Sequence, residues 1–350
     1  MSTAVHRHEL EHPRDASWAV TWTRRSLSIP AVLIGAAMAL VAAPLWLPLA
    51  AGIDLFRRPR CALRFGLFLT VYLWCETLGL LASGLIWLAS GAGRGEAARR
   101  RCRRWSFALQ QRWAGVLFSS ARRIFGFRLE VAGGEHLAEA PLLLFLRHAS
   151  VADTLLPAVL VSAPHGIRLR YVMKRELLWD PCLDVVGHRL PNHFARRDSD
   201  DSEGERQAVA ELARDLGSDE GVLIYPEGTR FTPAKRTRVL DRLRRGGHSD
   251  LHSRAERLER VLPPRLGGPL AMLEASPGVD VVFGAHAGFE GVGSLGDLWN
   301  GVLVDATVRA RFWRVPAAEI PPSREARAAW LYEQWSRMDR SVAALQESVV

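Results

Sequence analysis

The chain is poor in lysine. Of its 46 basic residues only Lys174 and Lys235 are lysines, and the formal net charge is +9. Such an excess of arginine over lysine is more typical of GC-rich coding bias than of a nucleic-acid-binding surface. No helix-turn-helix, zinc-finger or aromatic RNA-binding signature accompanies it. We therefore expect no nucleic-acid partner, and we expect the positive charge to meet anionic lipid or phosphate.

Cysteine is also scarce. The four cysteines have no paired short spacing, so the sequence predicts neither a disulfide framework nor a zinc site, and no other metal is expected. A reducing compartment is the default for such a chain. The cysteines are Cys61, Cys75, Cys102 and Cys182.

Charge is missing from two long segments. Ser26–Ile53 contains no charged residue, and Phe65–Gly93 contains only Glu76. Each is longer than the roughly 20 apolar residues that cross a bilayer core. The first starts too late and is too long for a cleavable signal peptide, and a second apolar segment follows it. The pattern predicts an N-terminal membrane hairpin of two hydrophobic helices.

The topology of this hairpin stays open at the level of sequence. Six arginines in residues 94–104 favour a cytoplasmic position for the rest of the chain, yet the linker 54–64 carries four more. Two full crossings would put the linker arginines on the far side of the membrane. A re-entrant hairpin, helped by Pro44 and Pro48, would keep every arginine on one side. Glu76 is costly at mid-bilayer, so we expect it to face a partner helix or lie near the interface.

Four regions follow one another along the chain. They are a polar tail (1–25), the membrane hairpin (26–93), a basic amphipathic connecting helix (94–125) and a globular domain (126–350). The tail contains His6, His8 and His12, but its polar composition favours an unstructured segment over a metal site. The connecting helix, read as Glu96–Phe125, either lies on anionic headgroups or packs against the domain.

The globular domain alternates strands with helices, which predicts an α/β fold with a mixed sheet and helices on its faces. Helices are expected at 151–163, 206–216, 232–260 and 324–346. The strand candidates are FRLEVAG, PLLLFL, IRLRYVMK, GVLIYPE, GVDVVFGAH and VDATVRARFW.

The stretch RHASVADTLLP carries the first candidate catalytic residues. His148 directly follows the buried strand PLLLFL, at the end where α/β sheets place their sites, and Asp153 comes five residues later. His193 and Asp198 have the same spacing but lie in a polar stretch with no strand immediately before them. The context therefore favours His148 and Asp153.

A structural role explains part of this motif. Ser150 and Asp153 fit a helix capping box, which needs no catalysis but leaves His148 unexplained. The two roles are compatible, because a helix N-terminus favours an ionised Asp153, which would fix one imidazole nitrogen and free the other to accept a proton. Ser150 is a poor candidate nucleophile, since no Gly-x-Ser-x-Gly elbow surrounds it.

A second motif, YPEGTRF, ends another buried strand. Glu227 and Arg230 can face a pocket there, although the heptad alone would indicate an ordinary turn with a salt bridge. The cations Lys174, Arg196 and Arg197 join Arg230 as candidates for phosphate binding, because guanidinium groups bind phosphate through paired hydrogen bonds.

Taken together, four blocks in order resemble the glycerolipid acyltransferases of the 1-acylglycerol-3-phosphate acyltransferase family, over about residues 126–320. They are LEVAGGEHLAEAPLLLFLRHASVAD, KRELLWDPCLDVVGHRLPNHFARR, YPEGTRF and LPPRLGG. The resemblance implies acyl transfer from a thioester, acyl-CoA or acyl-carrier protein, to a hydroxyl of a lysophospholipid such as 1-acylglycerol-3-phosphate. It further implies an α/β domain tethered to the bilayer by the N-terminal helices, at the plasma (inner) membrane and facing the cytoplasm. No cofactor or covalent enzyme intermediate is needed.

The resemblance also assigns residues. His148 would be the general base and Asp153 its orienting partner, while Pro264 and Arg265 match the fourth block. The substrate-binding set would be Lys174, Arg197, Glu227, Gly228, Thr229 and Arg230. Two other functions stay open: a CoA-independent transacylase and a non-catalytic membrane adaptor that retains the fold.

The chain departs from the family pattern at two places. Arg147 stands where the family usually has Asn, and Arg196 stands where an acidic residue usually precedes Arg197. The added positive charge predicts a more anionic acceptor headgroup. For the oxyanion of the reaction, a backbone N–H near the helix start is the expected donor.

Overall fold

The computed structural model describes residues 18–195, 202–247 and 249–347. Its centre is a seven-stranded sheet with the strand order β1-β7-β6-β2-β5-β3-β4. The strands are β1 (Arg128–Ala132), β2 (Leu142–Leu146), β3 (Arg168–Lys174), β4 (His193–Ala195), β5 (Glu220–Ile224), β6 (Asp280–Ala287) and β7 (Thr307–Val315).

The sheet is mixed, as the sequence predicts. β6 and β7 pair antiparallel, and every other neighbouring pair is parallel. The strands β2, β3, β4, β5 and β6 therefore share one direction, and β1 and β7 run the other way. All six predicted strands are present. β4 is the one that sequence reasoning missed, because three residues at a sheet edge carry too little pattern.

Strand β2 shows why the core forms where it does. It lies between β5 and β6, and all five of its apolar residues are buried. Successive side chains of a strand point to opposite faces. Accordingly Leu143 and Phe145 pack in one apolar cluster, while Leu142, Leu144 and Leu146 pack in another on the opposite face. Each such burial stabilises the fold by about 1.5–3 kcal/mol.

Twelve α-helices are present in the described residues. They are α1 (Trp18–Val41), α2 (Ala43–Phe56), α3 (Ala62–Ala89), α4 (Glu96–Phe125), α5 (Ala163–His165), α6 (Pro181–Gly187), α7 (Ser202–Ala213), α8 (Pro233–Arg245), α9 (Ser249–Glu256), α10 (Gly267–Ala275), α11 (Leu295–Trp299) and α12 (Arg324–Glu347). α4 has the predicted bounds and ends at Phe125, and the next residue, Gly126, provides the left-handed cap with a φ of 77°. The predicted charged helix 232–260 is a helix pair, α8 and α9.

Two of the N-terminal helices, α1 and α3, are long and apolar enough to cross a membrane. Most of each apolar helix is exposed, but α3 also contacts the rest of the chain. Near the middle of α3, Glu76 is fully buried and accepts hydrogen bonds from Trp113 Nε1 (2.8 Å) and from the backbone N–H of Cys182 (3.1 Å). Glu76 therefore faces helices α4 and α6 and not the other helix of the predicted hairpin.

Both ends of α3 also contact the globular domain. Before its start, Arg57 donates to Asn300 Oδ1 (2.9 Å) and Cys61 to the carbonyl oxygen of Trp299 (2.7 Å). Near its end, Arg189 donates to the carbonyl oxygen of Ser83 (2.8 Å). The start of α3 also lies near the end of α4, where Arg64 donates to the carbonyl oxygen of Phe125 (2.9 Å), and the choice between a spanning and a re-entrant hairpin stays open.

Candidate active site

His148 lies directly beyond the carboxyl end of β2. The backbone N–H of Arg147 still donates to Gly284 (3.1 Å), which extends the β2–β6 ladder by one bond before the chain turns. At the turn, the carbonyl oxygen of His148 accepts from the N–H of Phe231 (2.8 Å). The imidazole is 6 % exposed and its centroid lies 4.6 Å from the ring of Tyr225. Backbone and ring contacts therefore fix its position.

The predicted pair is in contact. His148 Nδ1 lies 3.1 Å from Asp153 Oδ1 and 3.4 Å from Oδ2. Asp153 Oδ2 also accepts from the backbone N–H groups of Ala149 and Ser150, both at 2.7 Å. These contacts hold the carboxylate rigidly beneath the imidazole.

One of the two hydrogen bonds of the predicted capping box is present. The Asp153 carboxylate accepts from the Ser150 N–H, as a capping box requires, but the Ser150 hydroxyl accepts from Ala152 (2.9 Å) instead of Asp153. That hydroxyl also donates to the carbonyl oxygen of Val292 (2.8 Å). Ser150 thus begins the helical segment 152–165 and ties it to the loop after β6.

Burial and hydrogen bonding set the charges of the pair. Burial would raise the pKa of Asp153, but hydrogen bonds from His148 and His286 bring it well below its usual range. Burial lowers the pKa of His148 from its usual 6.5, although Asp153 opposes this shift. At neutral pH the pair is therefore a carboxylate beside a neutral imidazole, the state in which histidine can accept a proton.

His286 is a site residue that sequence reasoning missed. It comes from β6, with Nε2 placed 3.4 Å from Asp153 Oδ2 and 3.1 Å from the carbonyl oxygen of Arg147. Its side chain is almost fully buried. The one available signal was a histidine in the otherwise apolar strand VVFGAHA.

Glu227 lies inside the protein and is 2 % exposed. Its Oε1 accepts from the N–H of His148 (2.7 Å) and its Oε2 from the N–H of Leu262 (2.8 Å). Burial raises the pKa of Glu227 to about 8, while the Arg147 charge and both backbone donors oppose the shift. Glu227 thereby joins the His148 loop to the LPPRLGG block. Trp335 of α12 donates to the carbonyl oxygen of the same Leu262 (2.8 Å).

The turn after Glu227 needs its glycine. Gly228 has a φ of +67°, and a Cβ there would lie 2.8 Å from Arg265 Cδ. Lys235 Nζ donates to Thr229 Oγ1 and to the carbonyl oxygen of Arg230, both at 3.0 Å. The Arg230 guanidinium donates to the carbonyl oxygen of Gly293. Lys235 is a second site residue that the motifs did not identify.

Arg147 does not face the site, so the expectation that its charge meets the acceptor headgroup is wrong. It is 1 % exposed, and its Nη1 donates to Glu290 Oε1 (2.6 Å) and to the carbonyl oxygen of His286 (2.5 Å). Nη2 donates to the carbonyl oxygen of Arg260 (3.0 Å). Burial would raise the pKa of Glu290, but Arg147 lowers it, so the pair is ionised and mutually neutralised.

The remaining predicted residues have different outcomes. Lys174 ends β3, and its charge is among the causes that lower the pKa of His148. Arg196, Arg197 and Asp198 lie outside the described residues. His193 has another partner, because its Nε2 lies 2.7 Å from Glu205 Oε2 of α7.

The backbone N–H groups at the helix start are all occupied. Those of His148, Ala149, Ser150, Val151 and Ala152 donate to Glu227, Asp153, Asp153, Val292 and Ser150, respectively. These five N–H groups therefore have acceptors within the protein, and the oxyanion donor near the helix start stays a prediction. No group of three or more His, Cys, Asp or Glu side chains suited to a metal occurs in the part of the chain that the structure describes.

A His-Asp pair at the carboxyl end of an α/β sheet, beside a cationic turn, agrees with the acyltransferase motifs, and the family comparison supports the same class. Residues 128–275 match the model of the family described as Acyltransferase. That range runs from β1 to the end of α10 and includes His148, Asp153 and Glu227. Over this range the chain is therefore similar to the acyltransferase family.

The solved structures that are similar to this chain include the crystal structure of the 1-acyl-sn-glycerophosphate (LPA) acyltransferase PlsC from Thermotoga maritima, with a TM-score of 0.49 and 15 % sequence identity. The match covers 79 % of this chain and 96 % of that chain.

Proposed function

We propose that the protein is a membrane-associated acyltransferase that moves a fatty acyl chain from acyl-CoA or acyl-carrier protein to the hydroxyl of a lysophospholipid. The observation that carries the proposal is the His148–Asp153 pair within the acyltransferase domain, 3.1 Å apart and buried. A 1-acylglycerol-3-phosphate is the acceptor that the motif blocks favour.

The chemistry depends on the protonation states. In the tautomer that donates from Nδ1 to Asp153, His148 Nε2 is free to take the proton of the acceptor hydroxyl. The hydroxyl oxygen then attacks the thioester carbonyl, the C–O bond forms, the C–S bond breaks, and the proton passes to the leaving thiolate. A thioester is already activated, so positioning and general-base catalysis suffice without an acyl-enzyme.

Glu227 acts in this proposal as a positioning residue. Both of its oxygens accept backbone N–H groups and almost none of its surface is exposed, so it holds His148 and Leu262 in place. Arg230, Thr229 and Gly228 form the turn that faces the acceptor, with Lys174 adding positive charge. Arg197 remains a predicted phosphate ligand.

The N-terminal helices supply the membrane contact. Their outward surfaces are apolar, with exposed side chains on α1, α2 and α3 that include Leu27, Ile34, Met38, Leu45, Leu49, Leu55, Leu78, Leu81, Leu85 and Leu88. Both ends of α3 contact the domain, and we propose that this surface enters the bilayer from one side, as monotopic helices do. We place it at the cytoplasmic face of the plasma (inner) membrane.

The test is an acyl-transfer assay of the full chain on vesicles that contain lysolipids of different headgroups. Transfer should require a thioester donor, and His148→Ala should abolish it while the protein still binds the vesicles. His193→Ala is the matched control, because it removes an equally spaced histidine that pairs with Glu205, and it should retain activity.

Other outcomes separate the alternatives. Transfer between phospholipids without any thioester would identify a transacylase. An absence of transfer with every donor and acceptor, together with normal vesicle binding, would identify an adaptor. An active His148→Ala variant would refute the assignment of the general base.

A further inference from the structure

A cavity of about 440 Å³ lies between the first half of α4 and the starts of β3 and β5. Its wall combines two groups of cations from distant parts of the chain, with Phe107 and Leu169 as apolar lining between them. The cations are Arg100, Arg101, Arg103, Arg104, Arg168 and Arg170. We call it the arginine cavity.

The arginine cavity is separate from the candidate active site. β3 begins at Arg168 beside the cavity and ends at Lys174 beside His148, and β5 likewise begins at Glu220 and leads to Glu227. At about 3.3 Å per residue the two ends of β3 are about 20 Å apart. A ligand held by the arginines at the start of β3 therefore lies at the opposite end of the sheet from the reacting groups.

Protein carboxylates balance only part of this charge. Arg170 pairs with Glu220 (2.6 Å), Arg168 with Asp219 (2.6 Å), and Arg100 with Glu96. Arg103 and Arg104 are exposed and have no ion-pair partner among the described residues. Arg170 is only 9 % exposed, yet its Nε, like that of Arg168, is buried without a hydrogen-bond partner. Hydrogen-bond donors therefore remain unused on both sides of the cavity, on α4 and at the start of β3.

The placement of the α4 arginines is unfavourable for the helix itself. Five arginines fall within its first nine residues, where the helix dipole favours acidic side chains. Arg99 and Arg103, and Arg100 and Arg104, are like charges four residues apart, which destabilises a helix. An external anion would relieve both effects. Arg100 pairs with Glu96 and Arg101 donates to the carbonyl oxygen of Ser90 (3.0 Å), so it is Arg103 and Arg104 whose charge an external anion would offset.

The neighbouring surface identifies the kind of anion. α3 ends at Ala89 with Leu85, Trp87 and Leu88 exposed, and the short turn after it leads directly into the arginines. An apolar surface next to guanidinium groups matches the chains and phosphate of one molecule. We infer that the arginine cavity binds the phosphate headgroup of an anionic phospholipid, at a site distinct from that of the acyl acceptor.

The test measures binding of the full chain to phosphatidylcholine vesicles that contain phosphatidic acid, with no acyl donor present. The variant is the double substitution Arg103→Gln and Arg104→Gln. The matched control is Arg122→Gln and Arg123→Gln, which removes the same charge from exposed positions in the last turn of the same helix. Two lost cation contacts predict a decrease in affinity of about 10- to 30-fold for the first pair and under about 3-fold for the control.

A chain-free probe separates lipid from free phosphate. Glycerol 3-phosphate should leave the vesicle affinity of the wild-type protein unchanged. If it competes with the vesicles in the wild-type protein but not in the Arg103/Arg104 variant, the cavity binds soluble phosphate and the lipid assignment is wrong. Equal losses for the two double variants would show unspecific surface attraction and would likewise overturn it.

The outcome does not depend on the proposed acyl transfer. Binding is measured without turnover, and any binding of phosphatidic acid at the acceptor site is common to wild-type and variant proteins. The variant should fold, because the substitutions remove like-charge repulsion, and circular dichroism checks this. If the protein is inactive in acyl transfer but shows the expected binding pattern, the proposed acyltransferase activity is refuted and the proposed lipid site is supported.

Discussion

The two ends of the sheet handle charge in opposite ways. At the carboxyl end, the charges of Asp153 and Arg147 are buried and met by several hydrogen bonds each. At the amino end, the arginine cavity leaves exposed guanidinium groups with few carboxylates to meet them. The first arrangement is organised before any ligand arrives, and the second needs a ligand to complete it. Substitutions should therefore have opposite effects at the two ends.

The largest effect is expected for Asp153→Asn at the carboxyl end. The amide would lose the charge that orients His148, and its NH2 group would oppose the N–H donors of Ala149 and Ser150. We expect kcat/KM to fall by about 10²- to 10⁴-fold, measured by initial rates of acyl transfer. An Asp153→Asn variant with normal activity would mean that the carboxyl end of the sheet is not the catalytic end.

The next largest effect is on stability, for Arg147→Ala. The substitution leaves Glu290 without its cation and two backbone carbonyls without a donor, so unfolding in urea should require about 3 kcal/mol less. The double variant Arg147→Met with Glu290→Leu removes both charges together and should recover part of that loss. If the double variant is as unstable as Arg147→Ala, the ion pair is not the cause.

A smaller effect concerns pH. Neutral His148 is the active form, and burial lowers its pKa from 6.5. Activity should therefore stay high as the pH falls to 6.5 and decrease only below that value, when the imidazole takes up a proton. The measurement is kcat/KM between pH 4.5 and 8. An acidic limb centred above 6.5 would contradict the buried, desolvated imidazole.

The smallest effect has the opposite sign and belongs to the amino end. Without lipid, Arg103→Gln with Arg104→Gln should stabilise the protein by about 0.5 kcal/mol, because two like-charge pairs and an unfavourable dipole interaction are removed. The gain should shrink at high salt, and thermal unfolding at two ionic strengths measures it. A loss of stability would show that the arginines already have partners within the protein.

Much of the site could be predicted from local pattern. About a dozen residues of sequence contain the strand before His148, the spacing to Asp153 and the start of the helix. The bounds of α4 followed from its basic start and its amphipathic repeat. Glu76 was predicted to face the partner helix or lie near the interface because a carboxylate is costly in lipid; it is buried, but against α4 and α6.

The features that could not be predicted depend on contacts between distant segments. His286 meets Asp153 across 133 residues of chain, and no short motif connects them. The direction of the Arg147 side chain, in contrast, could have been predicted, because successive side chains of β2 point to opposite faces of the sheet. Arg147 continues the series of Leu143 and Phe145, which face the cluster containing Trp335, and not the series of Leu146. The resemblance to the family drew attention to the arginine that replaces the usual asparagine. The informative property was the position of Arg147 in the alternation of β2, which sets the face of the sheet to which its side chain points.

The position of β6 has a practical consequence for the boundaries of the domain. The range that matches the family ends at Ala275, but the strand that pairs with β2 on one side begins at Asp280. A fragment of residues 128–275 would leave β2, the strand that leads to His148, as an open and wholly apolar edge. Such edges pair with other chains and aggregate. Expression or grafting of this catalytic unit should therefore continue through α12, whose Trp335 also secures Leu262.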